Sequence, residues 1–424
     1  MQKQSQSKNP RFSVVIPTRN RASTLGSTLQ SCLSQNFENY EIVVCDNCST
    51  PETRAIVEKI NSEKIVYHRS DKPLSMADNW NLAYSLVKGE YVIYIGDDDA
   101  LMPFALQQLN LLLDKTKVRA IRWEPVIYAW PNIAIAELAH YLQIPFGNGY
   151  RYLDGREVIK GVIGGIIPGP LLPNVYHSLV AREILDCIIA KSGRIFGQYY
   201  CDTYSSFAVA YHIDKYITLS TPMVVMGFSG ASNNIAFTLM RRKSEVGQNY
   251  KVEHAGAQMN PLLPDLPSHL VVLPESFLAA KADLFPGDDT LVLDRRVMLG
   301  QLLKHMPIDS LDEWPAAVAE IRRSVSDDPE LTAWLEAQLK NTKPKTSKRD
   351  SLRPQFMGFS NGRLHLDVKK RGITNVAQAA QFAAKILKAG GNELVVENEN
   401  FASRTMRKLK IAKFVLSKAS NPQP

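Results

Sequence analysis

The sequence predicts an α/β fold: a sheet with helices on both faces, followed by a mainly helical C-terminal extension. Two observations carry this. Residues 12–125 alternate short apolar, β-branched runs with amphipathic segments of about ten to fifteen residues, the rhythm of βαβ units. The composition is that of an ordinary globular chain, with 424 residues, 45% hydrophobic and 22% charged, which excludes collagen-like, disordered and disulfide-scaffold classes. At roughly 100–200 residues per domain, two or three domains are expected.

Phe12–Ile16 (FSVVI) reads as a buried strand. Ala22–Ser34 reads as an amphipathic helix, because Leu25, Leu29 and Leu33 share one face. Glu41–Cys45 is a second strand, and Ser49-Thr50-Pro51 is a start signal for a helix over Glu52–Ile60. Lys64–His68 is a third strand, Met76–Lys88 a helix, Tyr91–Ile95 a fourth strand, Pro103–Leu113 a helix and Ala120–Trp123 a strand. From 126 to 260 aromatics, prolines and glycines cluster, and a less regular half packed on the same sheet is expected. Residues 255–300 are Pro- and Leu-rich without a clear pattern, and 310–340 read as helical. Asn341–Pro354 reads as a linker with little to bury, and Ile373–Ala389 and Ser403–Ser417 read as helices. The expected organisation is a flexible stretch over 1–10, an α/β half over 11–125, a second half over 126–260, an irregular and helical extension over 261–340, the linker 341–354 and a basic helical region over 355–424.

The net charge of +8 is unevenly spread: 17 Lys/Arg face 5 Asp/Glu from residue 341 onward, leaving 33 against 37 before it. The basic character belongs to the tail, where Arg404–Lys418 mixes cations with Met, Leu, Ile, Phe and Val. As a helix it would suit either an anionic membrane face or packing with a solvated charged side. No nucleic-acid-binding module is recognisable, and none is expected as a partner. The opening MQKQSQSKNP is polar, so no signal peptide is expected. The uncharged stretch Gly161–Ala181 is broken by Pro168, Pro170 and Pro173 and reads as a buried or substrate-facing loop, not a membrane span. Five irregularly spaced cysteines offer no disulfide framework, and Cys45-x-x-Cys48 lies at a strand end where a redox motif would open a helix. A reducing, cytoplasmic compartment is expected.

In open α/β sheets, ligands bind at the carboxyl ends of the strands. The segments there are Pro17–Arg21, Asp46–Ser49, Ser70–Asn81 and Gly96–Asp99. No G-x-G-x-x-G follows the first strand and no G-x-x-x-x-G-K-[ST] occurs, which disfavours dinucleotide oxidoreductases and P-loop NTPases. The most informative segment is GEYVIYIGDDDALMP (Gly89–Pro103), where three consecutive carboxylates end a hydrophobic strand. Adjacent like charges are costly unless compensated. A hard divalent ion compensates them, and Mg²⁺ or Mn²⁺ uses one or two carboxylates plus substrate phosphates. A solvated acidic loop is the plain alternative.

These motifs resemble, one after another, those of the inverting, GT-A-fold glycosyltransferases of family 2, which use nucleotide-activated sugars. The first strand runs into Pro17-Thr18-Arg19-Asn20-Arg21, the second ends in Asp46-Asn47-Cys48-Ser49, Asn81 precedes Gly89-Glu90-Tyr91, and Asp97-Asp98-Asp99 is followed by Pro103. The resemblance covers about a quarter of the chain. It implies a GT-A, Rossmann-like mixed sheet, a nucleotide-sugar-binding half over 11–125 and an acceptor-binding half over 126–260. It further implies nucleotide contacts from Pro17, Thr18, Arg19, Arg21, Asp46, Asn81 and Asp97. Within the triplet it places the metal, Mn²⁺ or Mg²⁺, at Asp98 with Asp97 beside the ribose. The literal D-x-D reading places the metal at Asp97 and Asp99, and both remain open.

By the same resemblance the base is an acidic residue at the start of a helix in the second half. Asp202, before the small-residue helix Ser205–Tyr211, matches a variant with a single Asp in place of the commoner Glu-Asp pair. An N-terminal cap is its plain reading, and Asp214 and Asp154 are the substitutes. Ser229 and Ser232, in Gly227–Ser232, are expected on the acceptor side or in a plain turn. His177 and His254 are weak candidates for a phosphate or metal contact, and Trp80 reads as core. The expected activity is metal-dependent transfer of a sugar from a nucleotide diphosphate donor, UDP-sugar favoured, to a glycan or lipid-linked acceptor. It is expected in surface polysaccharide synthesis, at the inner face of the membrane through Arg404–Lys418. A nucleotidyltransferase and a catalytically silent binding subunit are the alternatives. The former lacks the glycines of a triphosphate loop, and a retained acidic triplet argues against the latter.

Overall fold

The computed structural model describes residues 9–197, 200–231, 259–346, 357–391, 396–397 and 399–419. Its first part follows the predicted alternation: β1 (Phe12–Thr18), α1 (Ala22–Leu33), β2 (Tyr40–Asp46), α2 (Pro51–Ile60), β3 (Ile65–Arg69), α3 (Met76–Ser85), β4 (Tyr91–Tyr94), β5 (Ala100–Leu101), α4 (Ala105–Thr116) and β6 (Ala120–Trp123). Then come β7 (Val126–Ala129), β8 (Tyr141–Pro145), β9 (Gly149–Asp154), α5 (Gly155–Ile163), β10 (Ser178–Ala181), α6 (Arg182–Ser192), α7 (Cys201–His212), β11 (Lys215–Leu219) and β12 (Val224–Phe228). The remainder holds α8 (His269–Leu284), α9 (Arg295–Lys304), α10 (Trp314–Ser324), α11 (Pro329–Asn341), β13 (Gly358–Ser360), β14 (Arg363–Asp367), α12 (Val376–Ala389), β15 (Val396–Glu397) and α13 (Phe401–Ala419).

Two mixed sheets organise the chain. The larger has the order β15-β9-β11-β6-β10-β4-β1-β2-β3, and the smaller β13-β14-β8-β7-β12-β5. β1 pairs in parallel with β2 and β4, so that Thr18 lies opposite Asp46 and both strands end at one edge. β10 runs antiparallel between β4 and β6, which makes the sheet mixed. β1 alternates its side chains between two cores. Phe12, Val14 and Ile16 face a cluster with Leu25 and Leu29 of α1, while Val15 faces one with Ala83 of α3 and Phe207 of α7. Fully burying each such side chain is worth roughly 1.5–3 kcal/mol, which fixes the strand register.

The second half is more regular than its sequence predicts. Residues 126–231 contain β7 to β12 and α5 to α7 among the described residues. Its strands are four to six residues long, and in β8, β10 and most of β12 every side chain is buried. No polar alternation marks them, so they read from sequence as irregular. α8 carries Pro274 inside it, which disguises a helix of 16 residues. α9 to α11 form a separate core around Leu299, Leu302 and Ile321. The C-terminal region contributes strands as well as helices, since β14 extends the smaller sheet beside β8. On α13, Ile411 is fully buried and Phe414 and Val415 pack against the same core as α12, so the apolar stripe of the basic tail faces inward. No helix among the described residues is long and apolar enough to cross a membrane. All five cysteines are free, and burial pushes the Cys45 thiol up to about 12.

Candidate active site

The loops at the carboxyl edge are tied to one another by asparagines. Asn20, with φ 55°, donates its backbone N–H to the Ser49 hydroxyl (2.8 Å), and its side-chain oxygen accepts from Thr50 N–H (3.0 Å). Asn47 grips Leu74 from both sides, accepting its N–H at 2.7 Å and donating to its carbonyl at 2.9 Å. The loops after β1, β2 and β3 therefore form one platform. Pro17 and Thr18 are buried in it, and Arg19 and Arg21 are half-buried at its rim. Asp46 is fully buried, its carboxylate accepting from Ser49 N–H (2.9 Å) and the Tyr67 hydroxyl (2.6 Å).

The three aspartates occupy three environments. Asp97 has the Arg21 guanidinium at 3.7 Å, and its carbonyl accepts the Thr28 hydroxyl of α1 at 2.9 Å. Burial pushes its carboxyl up to about 6 against the pull of Arg21. Asp98 accepts the Ser229 hydroxyl at 2.6 Å, and burial followed by the charges of Asp99 and Asp97 pushes it up to about 8. Asp99 is fully buried and saturated. One oxygen accepts from the Tyr176 hydroxyl (2.7 Å), His177 Nε2 (2.6 Å) and Gly96 N–H (2.6 Å), the other from Gly227 N–H (2.8 Å). Burial alone would raise its carboxyl, but His177 and these donors hold it below the usual carboxylate range. Asp99 thus spends its acceptors on bracing the loop. Gly227 permits the bracing, because a Cβ there would meet the Asp98 carbonyl oxygen at 1.8 Å.

Asp202 lies in the first turn of α7. β11 runs parallel to β6, so α7 starts at the carboxyl edge and ends where β11 begins. Asn174 links Asp202 to the triplet. Its amide oxygen accepts from Tyr176 N–H (2.9 Å) and the Ser205 hydroxyl (3.2 Å), which turns its NH₂ toward the Asp202 carboxylate at 3.5 Å. Tyr176 in turn bonds Asp99. His269, at the start of α8, feels the charge of Asp202. The substitutes are elsewhere: Asp214 is exposed at the amino end of β11, and Asp154 caps α5 through Glu157 N–H at 3.0 Å.

Other candidates take supporting places. Asn81 accepts from Ile195 N–H (2.9 Å) and Phe196 N–H (3.2 Å) and donates to the carbonyls of Ala77 and Phe196, so its amide shapes the loop ahead of α7. Ser229 is 2% exposed and directed at Asp98. Ser232 and His254 lie outside the described residues. Trp80 packs against Tyr94, Tyr176 and Phe196, in the core. Sequence reasoning gave His177 a phosphate or metal contact, whereas it braces Asp99, and it missed the part of Tyr176 and Asn174. The one signal for them is the uncharged, proline-rich stretch in which they lie.

Among the described residues, no three His, Cys, Asp or Glu side chains form a metal cage of their own. The donor set nevertheless fits Mg²⁺ or Mn²⁺, which take one or two carboxylates and complete their shell with phosphates and water. Asp97 and Asp98 are hard oxygen donors at the strand edge, and burial, with the neighbouring carboxylates adding to it, raises both carboxyls.

The acidic loop at the strand edge and the carboxylate in the first turn of α7 are thus joined through Tyr176 and Asn174. Residues 13–148 match the model of glycosyl transferase family 2. It is 33% identical over 87 residues to the UDP-Glc:alpha-D-GlcNAc-diphosphoundecaprenol beta-1,3-glucosyltransferase WfaP of Escherichia coli, covering 20% of this chain and 35% of that one. It is 31% identical over 103 residues to the GalNAc(5)-diNAcBac-PP-undecaprenol beta-1,3-glucosyltransferase of Campylobacter jejuni, covering 24% and 33%. The chain thus spans about a third of the length of these curated relatives. Among solved structures, Staphylococcus aureus TarS 1–349 in complex with UDP aligns over 77% of this chain and 83% of its own, at 17% identity and TM-score 0.44.

Proposed function

We propose that this protein is a metal-dependent, inverting glycosyltransferase. It moves a sugar from a nucleoside diphosphate, UDP favoured, to a hydroxyl of a glycan or lipid-linked acceptor in surface polysaccharide synthesis, in the cytoplasm and at the membrane face. The observation that carries it is the buried pair Asp97 and Asp98 at the strand edge, whose neighbour Asp99 is linked through Tyr176 and Asn174 to Asp202. The family match over 13–148 supports the reading. The activities named for the two relatives support the donor and acceptor classes.

Pro17, Thr18, Arg19, Arg21 and Asp46 form the floor and rim for base and ribose, with Asn81 holding the neighbouring loop. Asp98 and Asp97 hold the ion, and Asp99 fixes their loop. A bound Mg²⁺ or Mn²⁺ supplies Lewis-acid stabilisation of the negative charge on the departing diphosphate. Asp202 accepts the acceptor's hydroxyl proton on a carboxylate oxygen as that hydroxyl bonds the anomeric carbon and the bond to the diphosphate breaks. Asp202 stands in the first turn of α7, and Asn174 orients its carboxylate. Ser229 holds the Asp98 carboxylate through its hydroxyl. The test is release of nucleoside diphosphate from UDP-, GDP-, CDP- and dTDP-sugars with Mn²⁺, without added acceptor. One donor consumed by the wild type supports transferase chemistry, and an Asp202→Asn variant that binds UDP normally but turns over at least about a hundredfold more slowly supports the base. Wild-type turnover in that variant removes Asp202 from the role, and no release from any donor favours a silent binding subunit.

A further inference from the structure

A cavity of about 410 Å³ lies between α1 and α12. Its floor is buried and apolar, made of Leu101, Ile373 and Ala380, with Phe382 and Phe414 as half-buried walls. Size and lining are those of a small-molecule site: mostly apolar surface with a few placed polar groups. The charges on it have one sign. Arg371 and Lys385 line the cavity, and among the described residues no acidic one does. Arg371 lies over the Phe382 ring at 5.1 Å, and neither cation is paired with an acid among the described residues. The imbalance extends around the site, since α1 carries no charged side chain and residues 368–391 hold five cations and no acid.

We infer that this cavity binds an amphipathic anion: an aliphatic or isoprenoid body in the apolar floor, with its phosphate or carboxylate held by Arg371 and Lys385. An uncharged apolar ligand would leave both cations unused, and a bare anion would leave the floor wet. The site also touches the acidic loop from behind. Ser31, which lines the cavity, accepts Leu101 N–H at 3.1 Å, and one turn earlier Thr28 bonds the Asp97 carbonyl. None of the residues proposed for the donor lines this cavity, and binding there does not depend on the activity proposed above.

The test is titration calorimetry of the full chain with farnesyl monophosphate, with farnesol and inorganic phosphate as separate probes. Saturable one-to-one binding is expected, at least about tenfold tighter than either fragment, because each supplies only half of the contacts. Arg371→Gln with Lys385→Gln, both at the surface, should weaken it about tenfold or more. Gln381→Trp, an exposed cavity-lining position, should block it sterically. A Mn²⁺–UDP stability shift recorded on each variant shows that the fold is intact and reports the donor site separately. Phosphatidylglycerol vesicles that bind the wild type and not the double variant assign the amphiphile to a bilayer, and farnesyl monophosphate binding without vesicle binding assigns it to solution. Absent farnesyl monophosphate binding, equal affinity in the double variant, or inorganic phosphate binding as tightly as the whole probe overturns the inference.

Discussion

Asp97, Asp98 and Asp99 share a side chain and differ in everything around it. Asp99 is held by four donors, while Asp98 faces Ser229 and Asp97 faces Arg21. The triplet itself was legible as an acidic strand end. Its division of labour was not, because Tyr176, His177, Gly227 and Ser229 arrive from 77 to 131 residues away and no local spacing encodes them. The motif asparagines were legible as a pattern, whereas their role in tying the loops emerges only from the contacts with Thr50 and Leu74. The close approach at Gly227 yields a residue-scale expectation. Gly227→Ala should destabilise the protein by about 1–3 kcal/mol in urea denaturation, since its Cβ would collide with backbone. Gly287→Ala, where a Cβ meets nothing within 4 Å, is the control and should stay within about 0.5 kcal/mol.

Elements were readable where amphipathic periodicity holds and unreadable where burial is complete. α1 shows Leu25 and Leu29 on the core side, as the four-residue spacing requires, and α3 begins at Ser75, whose hydroxyl accepts Asp78 N–H at 3.1 Å. β10 (SLVA) has no exposed face to alternate against, and it enters the larger sheet antiparallel between two parallel neighbours. The tail helix admitted two readings from sequence, a membrane-facing stripe or a packing helix. Its fully buried Ile411, and Arg407 bonded to Glu399 at 2.9 Å, place the apolar stripe against the protein. Ile411→Ala should therefore cost about 2–5 kcal/mol in chemical denaturation. Leu409→Ala on the same helix, 58% exposed, should change stability by less than about 0.5 kcal/mol. Equal effects from the two would contradict the packing of α13.

At the scale of the whole molecule, two mixed sheets and α7 supply the parts of one site. β1, β2 and β4 deliver the platform and the triplet, α7 delivers Asp202, and β12 supplies the strand that leads to Ser229. The α/β class and the ligand-binding edge follow from the first 125 residues, where strands and helices alternate cleanly. The second sheet was not foreseeable, because it joins β5 and β7 to strands as distant as β14. The central claim, a metal-assisted nucleotide site on Asp97 and Asp98, is tested most directly by thermal denaturation with UDP, GDP, CDP, dTDP and ADP, each with and without Mn²⁺. A ligand at 100 times its dissociation constant adds about 2.7 kcal/mol, well within reach of such a measurement. The account predicts a manganese-dependent rise with one nucleotide, UDP first, that Asp98→Asn abolishes. Stability unmoved by every nucleotide, or a shift that persists unchanged in Asp98→Asn, would contradict it.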